Sequence, residues 1–245
     1  MRYGIVSDIH SNLTALEAVL RVLEGVDALI CPGDVVGYGP DPNECCAALR
    51  SANSTTVIGN HDAVVSGLVE ESWFNRHARA AARHNLERLS PEHLSYLGAL
   101  PVSHAPDDFV LVHATASQPL SFHYVYSTSS ARECMEALAG HPVCFIGHTH
   151  VSEVYSQKVG RPAVDRLSLL GGGRIELKEE YRYIVNCGSV GQPRDGSPLA
   201  ACGIYDSDSR TVEVIRVPYD VASVQSRMVS AGLPEFLIRR LEFGE

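Results

Sequence analysis

The chain has 245 residues, of which 45% are hydrophobic and 20% are charged, a balance typical of a globular protein that buries its own core. The formal net charge is −9 and no cluster of lysines and arginines offsets it, which disfavours broad binding to nucleic-acid phosphates. No apolar run approaches the length of a membrane span, so we expect no membrane partner.

Predicted strands and helices alternate through the first 150 residues. Apolar side chains at three- and four-residue spacing predict a helix from Leu13 to Leu23, which Gly25 ends. This alternation implies crossover connections and a largely parallel sheet. The predicted strands are 3–6, 28–31, 55–58, 109–112 and 143–146. The other predicted helices are a short one ending near residue 52, 73–89, a shorter one after 90–91, and one around 132–138.

The pattern changes after His150, where turns join a series of strand-like segments. A second sheet packed on the first would account for these segments. Helical spacing resumes at Val221 and predicts helices that cover one face. No linker divides the chain, so we expect one domain over 1–245, with a helical insert at about 63–106. The predicted strands of this half are 151–159, 165–170, 174–177, 183–185, 200–205 and 211–217.

The seven cysteines form no C-x-x-C pair, and Cys31 and Cys144 lie in apolar runs predicted as strands. These features favour buried free thiols over a disulfide framework or a thiolate metal site. The first residues are predicted to be a core strand and show no cationic leader. We therefore expect a cytoplasmic protein.

Polar side chains collect at the points where five predicted strands end. In open α/β sheets, ligands bind outside the carboxyl ends of the strands, so we expect these residues to meet at one edge. Each pattern alone is also typical of a turn or a helix cap. Coincidence is a poor explanation for all of these patterns occurring in this order, each at the end of a predicted strand. The residues are Asp8, His10, Asp34, Asn60, His61, Asp62, His113, His148 and His150.

The spacing and chemistry of these residues indicate a metal centre. Asp8 and His10 are two residues apart, as are His148 and His150, so each pair can project to one side of an extended segment. Mixed Asp, His and Asn ligands suit divalent Mn, Fe, Zn, Ni or Co. The candidate ligands are too many for one catalytic ion, and they suit two ions that share a carboxylate, about 3.5–4 Å apart.

These segments resemble the motifs of the calcineurin-like metallophosphoesterase superfamily, and segment 186–194 resembles a block of its small bacterial and archaeal members. The resemblance covers most of the chain. It implies an α/β fold, a four-layer α/β/β/α sandwich of two mixed β-sheets flanked by helices, with two metals at one edge. The matching segments are Asp8-Ile9-His10, Gly33-Asp34, Gly59-Asn60-His61-Asp62, Val112-His113-Ala114 and Gly147-His148-Thr149-His150.

The resemblance also implies a role for each residue. A hydroxide held by both metals would attack phosphorus. His61 would protonate the leaving oxygen or stabilise its charge, and Asp62 would either orient His61 or hold the turn. Asn60 and Arg194 are the predicted substrate contacts. One metal would be held by Asp8, His10, Asp34 and His150, and the other by Asp34, Asn60, His113 and His148.

The primary hypothesis is a phosphodiesterase or phosphomonoesterase acting on a small phosphorylated molecule such as a nucleotide. The main alternative reaction is hydrolysis of a dinucleoside polyphosphate of the diadenosine tetraphosphate type. Segment 35–40 lacks the Arg-Gly signature of the symmetrical hydrolases of that substrate and of protein Ser/Thr phosphatases, which argues against both activities. A non-catalytic scaffold is the alternative of another class, and the intact ligand set with His61 favours an enzyme. A homodimer is compatible with the sequence, which carries no interface signature.

Substrate selection is expected to depend on the insert and on the loop 115–130. The insert helix is either a lid over the metal site or an amphipathic helix with a solvated outer face. The candidate covering residues are Trp73, Phe74, Arg76, His77, Arg79 and Arg83.

Overall fold

The backbone of this computed structural model, which describes residues 1–245, forms two six-stranded β-sheets. The strands are β1 Arg2–Ile5, β2 Ala28–Cys31, β3 Thr55–Thr56, β4 Ser103–His104, β5 Val110–Val112, β6 Val143–Ile146, β7 Ser152–Lys158, β8 Val164–Ser168, β9 Gly173–Glu176, β10 Tyr181–Cys187, β11 Ala200–Asp206 and β12 Thr211–Val217. The helices are α1 Leu13–Val22, α2 Pro42–Ser51, α3 Asn60–Val65, α4 Arg76–Arg88, α5 Pro91–Gly98, α6 Thr128–Glu136, α7 Val221–Ser230 and α8 Glu235–Phe243. None of the helices combines the length and apolar character needed to cross a membrane.

Alternation of side chains along the strands produces the layers. In β2, Leu29 and Cys31 pack in the core under helices α1 and α2, whereas Ile30 lies in the core between the two sheets. In β6, Phe145 faces the core between the sheets, and Cys144 packs in a third core with residues of α6. The order of layers is therefore helix, sheet, sheet, helix. The predicted four-layer sandwich of two mixed sheets is confirmed.

The distribution of strands between the sheets differs from the expectation of a parallel first sheet and a separate second one. The first sheet has the order β3-β2-β1-β11-β12-β9, and the second has the order β4-β5-β6-β10-β7-β8. Strands β1 to β3 pair in parallel, and the late hairpin β11–β12 pairs antiparallel to β1. The later strands thus complete both sheets, because the parallel half of each sheet leaves an edge of unpaired backbone groups that a further strand satisfies.

Two segments, one just before the insert and one within it, also differ from the prediction. The predicted turn at 59–62 opens helix α3, where the Asp62 carboxylate accepts a hydrogen bond from the Gly59 N–H at 3.0 Å. The predicted helix 73–89 begins later, at Arg76, because Asn75 caps it: its side-chain oxygen accepts hydrogen bonds from the N–H groups of His77 and Ala78. All seven cysteines are buried and free, as the sequence predicts.

Candidate metal centre

The loops that follow β1, β2, β3, β5 and β6 converge at one end of the sandwich. Three of these strands belong to the first sheet and two to the second, so the centre lies where the two sheets meet rather than at one edge of a single sheet. Two groups of buried side chains have their ligand atoms within 4.8 Å of one another, and Asp34 belongs to both groups. The first group is Asp8, His10, Asp34 and His150, and the second is Asp34, His113 and His148.

Asn60 adjoins the second group through its side-chain oxygen, which lies 3.0 Å from His113 Nε2. It stands at the first position of α3, directly after Gly59 in the short loop that follows β3. The structure therefore brings together all seven side chains that the sequence singles out as metal ligands.

The backbone at the centre adopts a costly conformation. Asp8, His10, Asp34, His148 and His150 all have positive φ angles, between 48° and 67°. A non-glycine residue in this left-handed region costs roughly 1–2 kcal/mol. Hydrogen bonds between the loops hold it, such as those from the Asp8 N–H to Gly33 O at 3.1 Å and from the His10 N–H to Asp34 O at 3.0 Å. Such strain typically accompanies functional sites, where it presets the direction of side chains.

Two glycines allow the loops to approach the carboxylates. A Cβ atom at Gly147 would overlap Ser7 Oγ and Asp8 Oδ2, and one at Gly59 would overlap the backbone and carboxylate of Asp34. Glycine at these positions lets the N–H groups of His148 and His61 donate to the carboxylates of Asp8 and Asp34, respectively.

Backbone carbonyl groups orient three of the imidazoles. The Nδ1 atoms of His10, His113 and His150 lie 3.1 Å, 2.9 Å and 2.6 Å from the carbonyl oxygens of Val36, Pro32 and Gln192, respectively. A carbonyl oxygen only accepts a hydrogen bond, so each Nδ1 carries the proton. In the neutral ring, Nε2 then presents a lone pair to the centre, an arrangement common in metal-binding histidines.

These lone pairs face one another, which makes a bound cation the natural partner. The Nε2 atoms of His10 and His150 are 3.1 Å apart, and burial lowers the pKa of both rings well below the usual value, so neither neutral ring has a proton to donate there. His113 Nε2 likewise faces Asn60 Oδ1 and, at 3.4 Å, Asp34 Oδ2. Nitrogen and oxygen ligand atoms that converge in this way fit divalent metal ions.

The carboxylates reinforce this preference for positive charge. Burial opposes ionisation of Asp34, but His113 and His61 outweigh it and hold the pKa of Asp34 below its usual range. Burial also disfavours a charged His113, yet Asp34 and Asp8 raise the pKa of His113 to about 9. Burial raises the pKa of Asp8 to about 6, against the hydrogen bond it accepts from Ser7.

His61 lies beside the ligand groups without belonging to either. Its ring is 4.8 Å from that of His10, 4.5 Å from Tyr38 and 4.4 Å from Phe74. Its Nδ1 atom is buried and has no hydrogen-bond partner. Burial lowers the pKa of His61 to about 4, with a smaller contribution from the positive charge of Arg194. His61 is therefore neutral near pH 7.

Asp62 makes contacts with the backbone and not with the His61 ring. Its carboxylate accepts hydrogen bonds from the N–H groups of Gly59 at 3.0 Å, Val35 at 3.3 Å and Val36 at 3.1 Å. These contacts tie the loop after β2 to the start of α3. These contacts correspond to the structural role of Asp62 in holding the turn. The alternative role, orienting His61, requires a hydrogen bond to the His61 ring, and Asp62 makes none.

Arg194 approaches the centre from the loop after β10. Its guanidinium carbon lies 5.5 Å from the centre of the Tyr38 ring, and its backbone N–H donates a hydrogen bond to the His150 carbonyl oxygen. Among the causes that lower the pKa values of His10, His61, His148 and His150 is the charge of Arg194. The predicted substrate contact is thus within electrostatic reach of the centre.

Two aromatic residues that lie next to the centre were not predicted from the sequence. Tyr38 packs against the rings of His10 and His61, and Tyr124 stacks on His148 with ring centres 4.0 Å apart. Tyr38 stands between two glycines just after Asp34, which is a signal that the sequence offered. Tyr124 lies in an aromatic-rich loop, and nothing local connects it with His148.

The candidate covering residues of the insert divide into two groups. Trp73 and Phe74 line a cavity beside the centre. Arg76, His77, Arg79 and Arg83 do not line that cavity, and Arg79 and Arg83 pair with Glu71 instead. The aromatic residues before α4, and not the arginines on it, therefore adjoin the centre.

Comparisons with known proteins agree with this geometry. Residues 1–210 match the model of the calcineurin-like phosphoesterase superfamily domain, so the chain belongs to that family. A metallophosphoesterase from Sphaerobacter thermophilus is similar in structure, with 39% identity and a TM-score of 0.87 over 100% of this chain and 99% of the other. Protein MJ0912 of Methanocaldococcus jannaschii is 34% identical over 98% of this chain and 97% of its own length. Protein PH1004 of Pyrococcus horikoshii shares the fold, with a TM-score of 0.81 at 19% identity, over 100% of this chain and 98% of the other.

Proposed function

We propose that this protein is a dinuclear metal-dependent phosphoesterase that hydrolyses a small phosphorylated substrate, with a phosphodiester as the preferred class. The observation that carries the proposal is the pair of buried ligand groups that share Asp34. Membership of the calcineurin-like phosphoesterase superfamily supports the same reaction. The seven free, buried cysteines support a reducing, cytoplasmic location.

The residues assigned to the metals follow from the two groups. Asp8, His10 and His150 would hold one ion, His113, His148 and Asn60 would hold the other, and Asp34 would contact both. When bound, the ions would supply a nucleophile derived from water and would stabilise charge on the phosphoryl group. Mn, Fe, Zn, Ni and Co all accept this ligand set.

Two further side chains would act on the substrate directly. His61 lines the cavity, and its neutral ring carries one N–H, which would donate to the leaving oxygen. Arg194 would bind a phosphoryl oxygen with its guanidinium group. A diester carries one negative charge and a monoester dianion carries two, so a single arginine beside the centre favours the diester. Asp62 would act indirectly, by holding the loops that carry Asp34 and His61.

Hydrolysis assays on metal-exchanged protein test this proposal. Chelated protein resupplied with each metal would be assayed with bis-p-nitrophenyl phosphate and p-nitrophenyl phosphate. We expect metal-dependent turnover with higher activity on the diester. Asp34→Asn should abolish turnover and lower the metal content below two ions per chain. Asp165 is an exposed carboxylate on β8, and Asp165→Asn should change neither turnover nor metal content. Retention of two ions without turnover on any ester would favour the scaffold alternative.

A variant of His61 separates metal binding from proton donation. His61→Ala should retain both ions, because no ligand is removed, and should lower kcat on bis-p-nitrophenyl phosphate by about 10²–10⁴-fold. Undiminished kcat would remove His61 from the mechanism.

A further inference from the structure

A cavity of about 470 Å³ opens directly beside the candidate metal centre. Asn60, His61 and His148 line it, so the cavity begins at the metal ligands with no intervening segment. Its volume lies within the usual range of small-molecule sites, roughly 300–1,000 Å³. A group esterified to a phosphate at the centre would therefore enter the cavity at once.

Six aromatic side chains line the cavity, and besides Tyr38 they come from two separate segments. Trp73 and Phe74 belong to the insert, whereas Phe122, Tyr124 and Tyr126 belong to the loop between β5 and α6. Trp73 is 75% exposed and Tyr126 is 66% exposed, unusually high values for large aromatic residues. Exposed aromatic side chains gathered around a concave surface are typical of a ligand site, where they provide rigid stacking surfaces.

The charges around the cavity do not suit a substrate that would place additional phosphate groups inside it. Glu70 is the only acidic side chain that lines the cavity, and no lysine or arginine lines it. The nearby arginines of the insert, Arg79 and Arg83, pair with Glu71. An uncharged ring fits these walls, whereas additional phosphate groups would lie next to Glu70 with no cation to bind them.

We propose that this aromatic cavity binds a planar aromatic group, such as a nucleobase or an aryl ring, carried by the phosphate ester that the metal centre hydrolyses. This inference rests on the proposed function, since it places the phosphate at the metals. It assigns Trp73 and Tyr126 as stacking residues that set specificity. It also disfavours the dinucleoside polyphosphate alternative, in which several phosphates separate the scissile bond from the bases.

Binding of phosphonates tests the cavity separately from catalysis, because a C–P bond is not hydrolysed by a phosphoesterase. Phenylphosphonate, cyclohexylphosphonate and methylphosphonate share the acidic head group and differ in the attached group. Trp73 is the only tryptophan of the chain, so its fluorescence reports occupation of the cavity. We expect Mn-loaded protein to bind phenylphosphonate most tightly, with saturable quenching, and methylphosphonate weakly and without quenching.

Single variants assign the effect to the cavity. Tyr126→Ala removes a side chain that makes no hydrogen bond of its own, and it should weaken phenylphosphonate binding by about 5- to 100-fold while leaving methylphosphonate unchanged. Phe243→Ala removes an exposed aromatic ring on α8 outside the cavity and should change neither.

The outcomes separate the two proposals. Equal affinity for the phenyl and cyclohexyl compounds, or an unchanged affinity in Tyr126→Ala, would overturn the planar-ring site and leave the phosphoesterase proposal intact. Metal-independent or undetectable binding of all three phosphonates would overturn both proposals. Calorimetry on the same samples provides the affinities without relying on fluorescence.

Discussion

Replacing Asp62 by Asn tests whether this carboxylate is structural or catalytic. Asp62 is fully buried, and its two oxygens accept three backbone hydrogen bonds, two at Oδ2 and one at Oδ1. An asparagine can turn its oxygen towards the Gly59 and Val35 N–H groups. Its NH₂ group then faces the Val36 N–H, which becomes an unsatisfied buried donor.

The size of the effect follows from that one lost acceptor. An unsatisfied buried donor costs about 1–3 kcal/mol, and in a chain of this length each kcal/mol lowers Tm by roughly 2–4 °C. We therefore expect Tm of metal-free Asp62→Asn to fall by about 2–12 °C. The dependence of turnover on pH should keep its shape, because no contact joins the Asp62 carboxylate to the His61 ring.

Thermal unfolding and a pH profile of kcat on bis-p-nitrophenyl phosphate measure the two quantities. The exposed variant Asp165→Asn is the matched control and should behave as wild type. An unchanged Tm together with an altered pH profile and a large loss of kcat would refute this reasoning, since it would mean that Asp62 acts on the chemistry through His61.

Three further predictions concern packing, a buried ion pair and the thiols. Gly147→Ala should lower both Tm and metal content, because the added Cβ would overlap Ser7 and Asp8. Calorimetry measures Tm and elemental analysis measures metal content; wild-type values of both would contradict the close approach of Gly147 to Asp8. Asp195→Ala should destabilise the fold by about 3–5 kcal/mol in urea titrations, because it leaves the buried Arg216 guanidinium unpaired; a loss below about 1 kcal/mol would mean that water solvates Arg216. A chromogenic disulfide should react with none of the seven thiols in the native protein and with all seven in denaturant; fast native reaction would contradict their burial.

The local elements and the positions of the residues that build the centre can be predicted from the sequence. Apolar runs, helical spacing and glycine or proline stops depend on neighbours in the chain. Strands β2, β6 and β12 are therefore predicted at their observed bounds, and most other elements within a few residues. Motifs at the strand ends identify the residues that converge, because the carboxyl ends of parallel strands lead to one end of the sandwich.

Features that depend on contacts between distant segments could not be predicted from the sequence. The pairing of β11 with β1 joins Gly203 to Ile5, and no local pattern specifies which sheet edge a late strand completes. The partners of Asp62, the stacking of Tyr124 on His148 and the joining of two aromatic segments into one cavity likewise arise from packing across the chain. The positive φ angles of the ligand residues are imposed by hydrogen bonds between loops, against the local preference of those residues, so a local pattern predicts which residues meet but not their geometry.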